Sequence, residues 1–170
     1  KIKDLAGPSD GLVAGLDTLA GATIAATSSS LFNPAAFISD AFKKGRFGGN
    51  ALGISEWYDD QNIPKHVSGT FAASTPLVNG ATQTGSSIIT DGWAAGATSL
   101  KKGDIVTFAG VFFVNPLSYV SVGRTAQFAL TADISDTAGA ITLPITPSII
   151  TSGQLQTVTG SPADDAVITV

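Results

Sequence analysis

The stretch "SLKKGDIVTFAGVFFVNP", residues 99–116, decides the fold. Lys101-Lys102-Gly103-Asp104 is a charged tight turn anchored by Leu100, in which Gly103 supplies the positive φ that a sharp reversal needs. A run of strand-forming residues follows. Alternation sets Ile105, Thr107 and Ala109 on one face, with Val106 and Phe108 on the other. Gly110 breaks the run and predicts a bulge or bend that re-aims residues 111–114. Asn115-Pro116 then stops the strand. This is a turn and strand of a β-rich domain, and it places no catalytic group.

The same texture extends from about residue 70 to the end of the chain. Further strands are expected at 86–90, 125–132, 141–145, 155–158 and 167–170, beside 105–109 and 111–114. Asn79-Gly80, Asp91-Gly92, Asn115-Pro116 and Ala138-Gly139 mark turns between them. Short strands at such spacing point to a small β-barrel or sandwich. Pro144 pushes its strand to an edge or a bulge.

Before residue 70 the pattern is different. Leu12, Leu16 and Leu19 recur at helical spacing, which predicts a helix over 9–20 capped by Ser9, and "TIAAT" (23–27) reads as a short strand. Asn33 and Pro34 open a second expected helix at 34–44, with an apolar stripe, Lys43 and Lys44 in its last turn and Gly45 as its stop. "GRFGGNALG" (45–53) is a glycine-rich loop, and 54–69 reads as strand, turn and extended chain.

Composition narrows the function classes. The 170 residues are 44% hydrophobic and 13% charged, roughly half the usual charged share, which argues for a packed chain and against disorder. The net charge is −4 and the basic clusters are only pairs, so a sequence-specific nucleic-acid reader is disfavoured. With no cysteine, a disulfide framework, Cys-ligated zinc and thiol chemistry are excluded within the chain. No apolar run is long enough to address the chain to a membrane as a helix.

The chain carries few groups suited to catalysis. His66 is the only histidine, so a multi-histidine site within one chain is excluded; the rival is one histidine working with a carboxylate, and "KHVSG" reads instead as a surface loop. Asp59-Asp60-Gln61-Asn62 gathers oxygen ligands without the alternation or terminal Glu of a calcium loop, and reads as a turn that caps its own backbone. Glu56 is the sole Glu, and no spacing suggests a carboxylate pair. The glycine loop fits no phosphate-binding pattern, and Ser28-Ser29-Ser30 lies in no nucleophile elbow. Trp57, Tyr58 and Trp93 form a stacking platform in the rival reading, a secreted or surface β-module for adhesion or carbohydrate binding; buried rings are the more usual outcome. No enzyme and no cofactor or metal is expected.

Several blocks in order carry a resemblance: "LFNPAAFISDAFKKG" (31–45), "WYDDQNIPKHVSG" (57–69), "PLVNGATQTGSSIITDGW" (76–93), "LKKGDIVTFAGVFFVNP" (100–116), "GRTAQFALTADI" (123–134) and "SPADDAVITV" (161–170). Together they resemble tailed-bacteriophage major capsid proteins, in particular the coat-protein family of Salmonella phage P-twenty-two. The resemblance covers about residues 30–170 and implies an α+β, mainly β chain: part of the axial domain of the Hong Kong ninety-seven capsid fold plus an inserted small β-barrel. On this reading residues 1–70 are the axial-domain-like segment, 71–150 the inserted barrel, and 151–170 the return strands to the axial domain. The family's N-terminal arm, spine helix and extended loop have no visible counterpart, so a fragment of a longer coat protein is expected.

The resemblance implies a structural subunit of an icosahedral shell in the virion, assembled in the bacterial host cytoplasm by repeated contacts with copies of itself and with scaffolding and portal proteins. No catalytic residues come with it. Charges expected at the surface are the candidate subunit contacts: Lys43, Lys44, Arg46, Asp59, Asp60, Lys101, Lys102, Asp104 and Arg124. The acidic balance suits a barrel facing outward, away from the genome.

Overall fold

The computed structural model describes residues 7, 10–28, 53–72, 74–135 and 139–170. The helix expected at 34–44, the glycine loop up to residue 52, and Lys43, Lys44 and Arg46 lie outside the described residues. The chain divides into two compact units, one of Gly7–Lys65 and one that includes His66–Val170. The division falls between Lys65 and His66.

In the first unit, β1 (Val13–Leu16) pairs in parallel with β2 (Glu56–Asp59), and α1 (Thr18–Ser28) follows β1. The helix expected over 9–20 is therefore a strand at its centre, and the strand expected at 23–27 is helix. The leucine spacing was misleading because the backbone has a partner: Val13 faces Glu56 and Leu16 faces Asp59, while Ser55 N donates to Leu12 O at 2.8 Å. Gly11 adopts φ +70, which stops a helix from propagating through it. In α1 the alanines favour helix over the threonines' β preference. Thr23 Oγ1 donates to Leu19 O at 2.8 Å and Thr27 to Thr23 O, so the hydroxyls are satisfied inside the helix.

The second unit is mainly β. Its sheet has six strands in the order β10 (Ile168–Thr169), β6 (Ile105–Val114), β7 (Ser121–Leu130), β9 (Ile141–Ile149), β4 (Gly85–Asp91) and β3 (Leu77–Val78). All five neighbouring pairs are antiparallel. The outer strands meet as well. Leu77 bridges Val167, Val78 N donates to Ala166 O at 3.0 Å, and Ile168 N donates to Pro76 O at 3.0 Å. The sheet thereby curls into a nearly closed, barrel-like form in which its two short edge strands meet, which shortens the open edges a flat sheet would present. A separate two-stranded ladder joins β5 (Ser99–Leu100) to β8 (Ile134–Ser135).

The strand built from the opening stretch follows its sequence. Val106 and Phe108 are buried while Ile105 and Ala109 are exposed. Gly110 takes φ +80, and the ladder shifts register between Thr107↔Gln127 and Phe112↔Thr125, so β6 bulges there and brings Val111 back to the inside. Phe108 and Phe128 meet in the core with ring centres 5.4 Å apart. Ile88, Leu143, Ile145 and Ile149 fill the space from β4 and β9. Pro144 faces Ser87 beside a register shift, as expected of a bulge, although β9 is an interior strand.

Two expected strands are shorter than their sequence suggests. Of 155–158 only Val158 bridges, to Phe113, and of 167–170 the strand keeps Ile168–Thr169. Residues 151–170, expected to return to an axial sheet, contribute Val158, Ala166 and Ile168 to the barrel core.

Candidate functional site

The best-defined polar constellation sits on the turn formed by residues 101–104. β5 leads into it, β6 leaves it, and Gly103 adopts the expected positive φ, +98. Gly103 N donates to Leu130 O at 2.8 Å and Leu130 N donates to Asp104 O at 2.9 Å, which ties the turn to the end of β7. The Asp104 side chain then points inward. It is 3% exposed, so the expectation that Asp104 is a surface contact is corrected here.

Its carboxylate is saturated with donors. Lys101 N reaches Oδ2 at 2.7 Å, Gly69 N reaches Oδ2 at 3.0 Å and Oδ1 at 3.2 Å, and His66 Nε2 donates to Oδ1 at 2.7 Å. Burial acts most strongly and pushes the Asp104 carboxyl up, but the Lys101 amide, His66 and the Gly69 amide together outweigh it. The carboxyl is held below the ordinary carboxylate range. A buried carboxylate is tolerated because each oxygen accepts hydrogen bonds.

The neighbouring chain is shaped to make these contacts. Thr70 N donates to Ser99 O at 2.9 Å and Ser99 N donates back at 2.8 Å, so residues 69–70 run alongside β5. A Cβ on Gly69 would stand 2.3 Å from Ser99 O and 2.7 Å from Asp104 Oδ2, so only glycine lets the amide approach. The His66 ring lies over Gly103, with Cε1 and Nδ1 3.2 Å from where a Cβ would be. On the outer side of the turn, Asp133 accepts Lys101 Nζ at 2.9 Å and Lys102 N at 2.8 Å. The Lys102 amide, followed by the Lys101 ammonium, holds the Asp133 carboxyl below its ordinary value.

The turn therefore joins Lys101, Lys102 and Asp104 from the sequence candidates with three residues outside that set, His66, Gly69 and Asp133. Chemically, the His66–Asp104 pair is a histidine ring bonded to a buried carboxylate, and its structural work is to pin the segment that starts the barrel unit. The signal available in sequence was the lone histidine two residues before Ser68-Gly69; what it lacked was any indication that Asp104 turns inward. Among the described residues no group of three or more His, Cys, Asp or Glu gathers to hold a metal ion.

The other candidates lie elsewhere. Asp59 and Asp60 are exposed on the first unit, and Asp60 Oδ1 accepts Asn62 N at 2.8 Å, the self-capping turn expected of that tetrad. Arg124 is exposed on β7. Trp93 is 4% exposed, and its Nε1 donates to Thr90 Oγ1 at 2.8 Å, which in turn donates to Ile141 O at 2.7 Å. A stacking platform that includes Trp93 is thereby removed. Tyr58 stays exposed and its hydroxyl is bonded to Glu56, which raises the phenol pKa. No family model matches the chain, and no curated protein matches it.

Proposed function

We propose that this chain is part of the structural subunit of a bacteriophage shell, and that the barrel unit is the inserted domain of that subunit. What supports the reading is the ordered series of coat-protein-like blocks, several of which supply the barrel's own core. "LKKGDIVTFAGV" (100–111) brings Leu100, Val106, Phe108 and Val111, and "GRTAQFAL" (123–130) brings Ala126, Phe128 and Leu130. "SPADDAVITV" (161–170) brings Ala166 and Ile168. A nearly closed barrel whose core comes from its own residues, Val78 to Ile168, suits insertion into another domain. The partners on this reading are further copies of the chain, with scaffolding and portal proteins.

The test is expression of the complete coding sequence that contains this chain, together with its neighbouring scaffolding gene. Electron microscopy should show closed shells of uniform size. Soluble monomers under those conditions would overturn the proposal. So would turnover of an ester or glycoside that disappears in His66→Ala.

A further inference from the structure

At the end of the barrel away from the Asp104 turn, two loops come together. Residues 115–120 join β6 to β7, and residues 150–157 follow β9. Tyr119 Oη donates to Gln154 O at 3.3 Å, and Val114 N donates to Thr157 O at 3.3 Å, so the loops share one end of the barrel. Both are tightly held. Asn115 Oδ1 accepts Leu117 N at 2.9 Å, and Asn115 N and O bond Val120 O and Tyr119 N at 2.9 and 2.8 Å. In the second loop Thr157 Oγ1 donates to Ser148 O at 2.7 Å, and Thr157 N donates to Ile150 O at 2.9 Å.

These polar side chains hold backbone, and the apolar ones face solvent. Leu117 is 81% exposed, Leu155 76%, Val120 64% and Tyr119 42%. Neither loop contains a charged residue; indeed none occurs over 105–123 or 137–163. Asp164, the first carboxylate after the second loop, belongs to a turn where it accepts Gly80 N at 2.7 Å.

The geometry points to this apolar end as a self-contact surface: its occupant is the same face of a second copy of the chain. Charge selects the occupant. Each copy carries −4, so copies repel wherever carboxylates meet, and a charge-free face is where two copies approach without that penalty. A lipid surface is the poorer fit, because the loops offer no Lys or Arg for headgroups and the chain is acidic overall. Area sets the strength. Four side chains so exposed present roughly 400–500 Å², below the ~800 Å² per partner of a stable complex. The contact is weak alone and gains force by repetition, which is the form a shell uses; that biological role rests on the shell reading above.

A dilution series of the 170-residue chain, followed by amide spectra and translational diffusion, tests the contact. Shifts confined to residues 115–120 and 150–157 are expected at high concentration, with slower diffusion. Added salt should strengthen them by screening the repulsion between copies. Leu117→Asp combined with Leu155→Asp should abolish the shifts, and Leu155→Ser alone should weaken association several-fold. Spectra that do not change with concentration, or changes confined to other surfaces, overturn the self-contact. Pelleting with phosphatidylcholine or phosphatidylserine vesicles in place of self-association overturns it in favour of lipid. Failure of the shell reading is distinguishable: absence of particles from the complete coding sequence removes that reading, while the dilution series still decides whether copies meet at this face.

Discussion

The two ends of the barrel use polar chemistry in opposite ways. At the Asp104 end, ionised groups turn inward or pair with each other: Asp104 is buried under donors from residues 66, 69 and 101, and Asp133 holds Lys101 and Lys102. At the far end, neutral Asn115 and Thr157 fix two loops so that Leu117, Val120 and Leu155 stay in solvent. Charge here organises the chain, and apolar side chains form the face available to a neighbour. Of the charges expected at the surface, Asp104 is taken up inside the barrel unit and Lys101 is paired with Asp133, while Asp59, Asp60 and Arg124 stay exposed.

The largest expected effect breaks the barrel between those ends. Residues 66–170 expressed alone should show β-type circular dichroism and a cooperative melt. Residues 71–150 should not. The shorter piece lacks Val158 and Ile168 from the core, the β10 strand that joins β3 to β6, and the His66 and Gly69 donors. Burying an aliphatic side chain contributes about 1.5–3 kcal/mol, and a small domain has about 5–15 kcal/mol in all, so these losses are of the order of the whole. A cooperative melt of 71–150 would mean that β10 only decorates the barrel.

Asp104→Ala should come next. It removes the acceptor of the part-buried amides of Lys101 and Gly69, each bond worth about 0.5–1.5 kcal/mol and more to a charged acceptor, so a loss of about 1–3 kcal/mol is expected by urea unfolding. His66→Ala removes only one partner, half in solvent, and should cost less. Equal costs would make His66, and not the amides, the main support of the turn.

Much of the barrel was legible from local pattern. The alternation of Val106 and Phe108, the bulge at Gly110 and the positive φ at Gly103 each follow from neighbouring residues, because strand period and turn strain are local properties. The first unit was not legible that way. Its leucines fit a helix, and the deciding partner, β2, lies some forty residues on in sequence. Asp104 failed for the same reason, since a carboxylate next to two lysines looks solvated until residues 66–69 arrive beside it. Closure of the barrel rests on Leu77 meeting Val167, a pairing that no local period reports.

Gly103→Val should cost about 1–3 kcal/mol, because a β-branched residue is strained at φ +98 and its Cβ meets the His66 ring at 3.2 Å. The same substitution in His66→Ala should cost less if the ring contact contributes; an unchanged cost assigns all of it to the backbone.

Acid should loosen the charged end selectively. Asp104 is held below the ordinary range in the folded chain, so its stabilisation is complete above the unfolded-state value of about 3.9 and is lost as the pH falls through that value and the lower folded one. The groups facing this turn are His66, Lys101, Lys102 and Asp133. In hydrogen exchange, Lys101 and Gly69 amides should lose protection below about pH 4 before Leu117 and Thr157 do. Simultaneous loss at both ends would show one cooperative unit with no local weakening at Asp104.

The smallest effect on stability belongs to the apolar end. Leu117→Ser and Leu155→Ser remove side chains that are 81% and 76% exposed, so little area returns to water on unfolding that was not already there. The loop backbones keep their bonds, because Asn115 and Thr157 hold them through groups the substitutions leave intact. A change within about 0.5 kcal/mol is expected from thermal or urea unfolding. Asn115→Ala is the contrasting variant: it removes the acceptor of the Leu117 amide and should cost about 1 kcal/mol by freeing the turn. If Leu117→Ser proves as costly as Asn115→Ala, Leu117 packs against its own barrel, and the contrast between an inward-bonded end and an outward-facing one disappears.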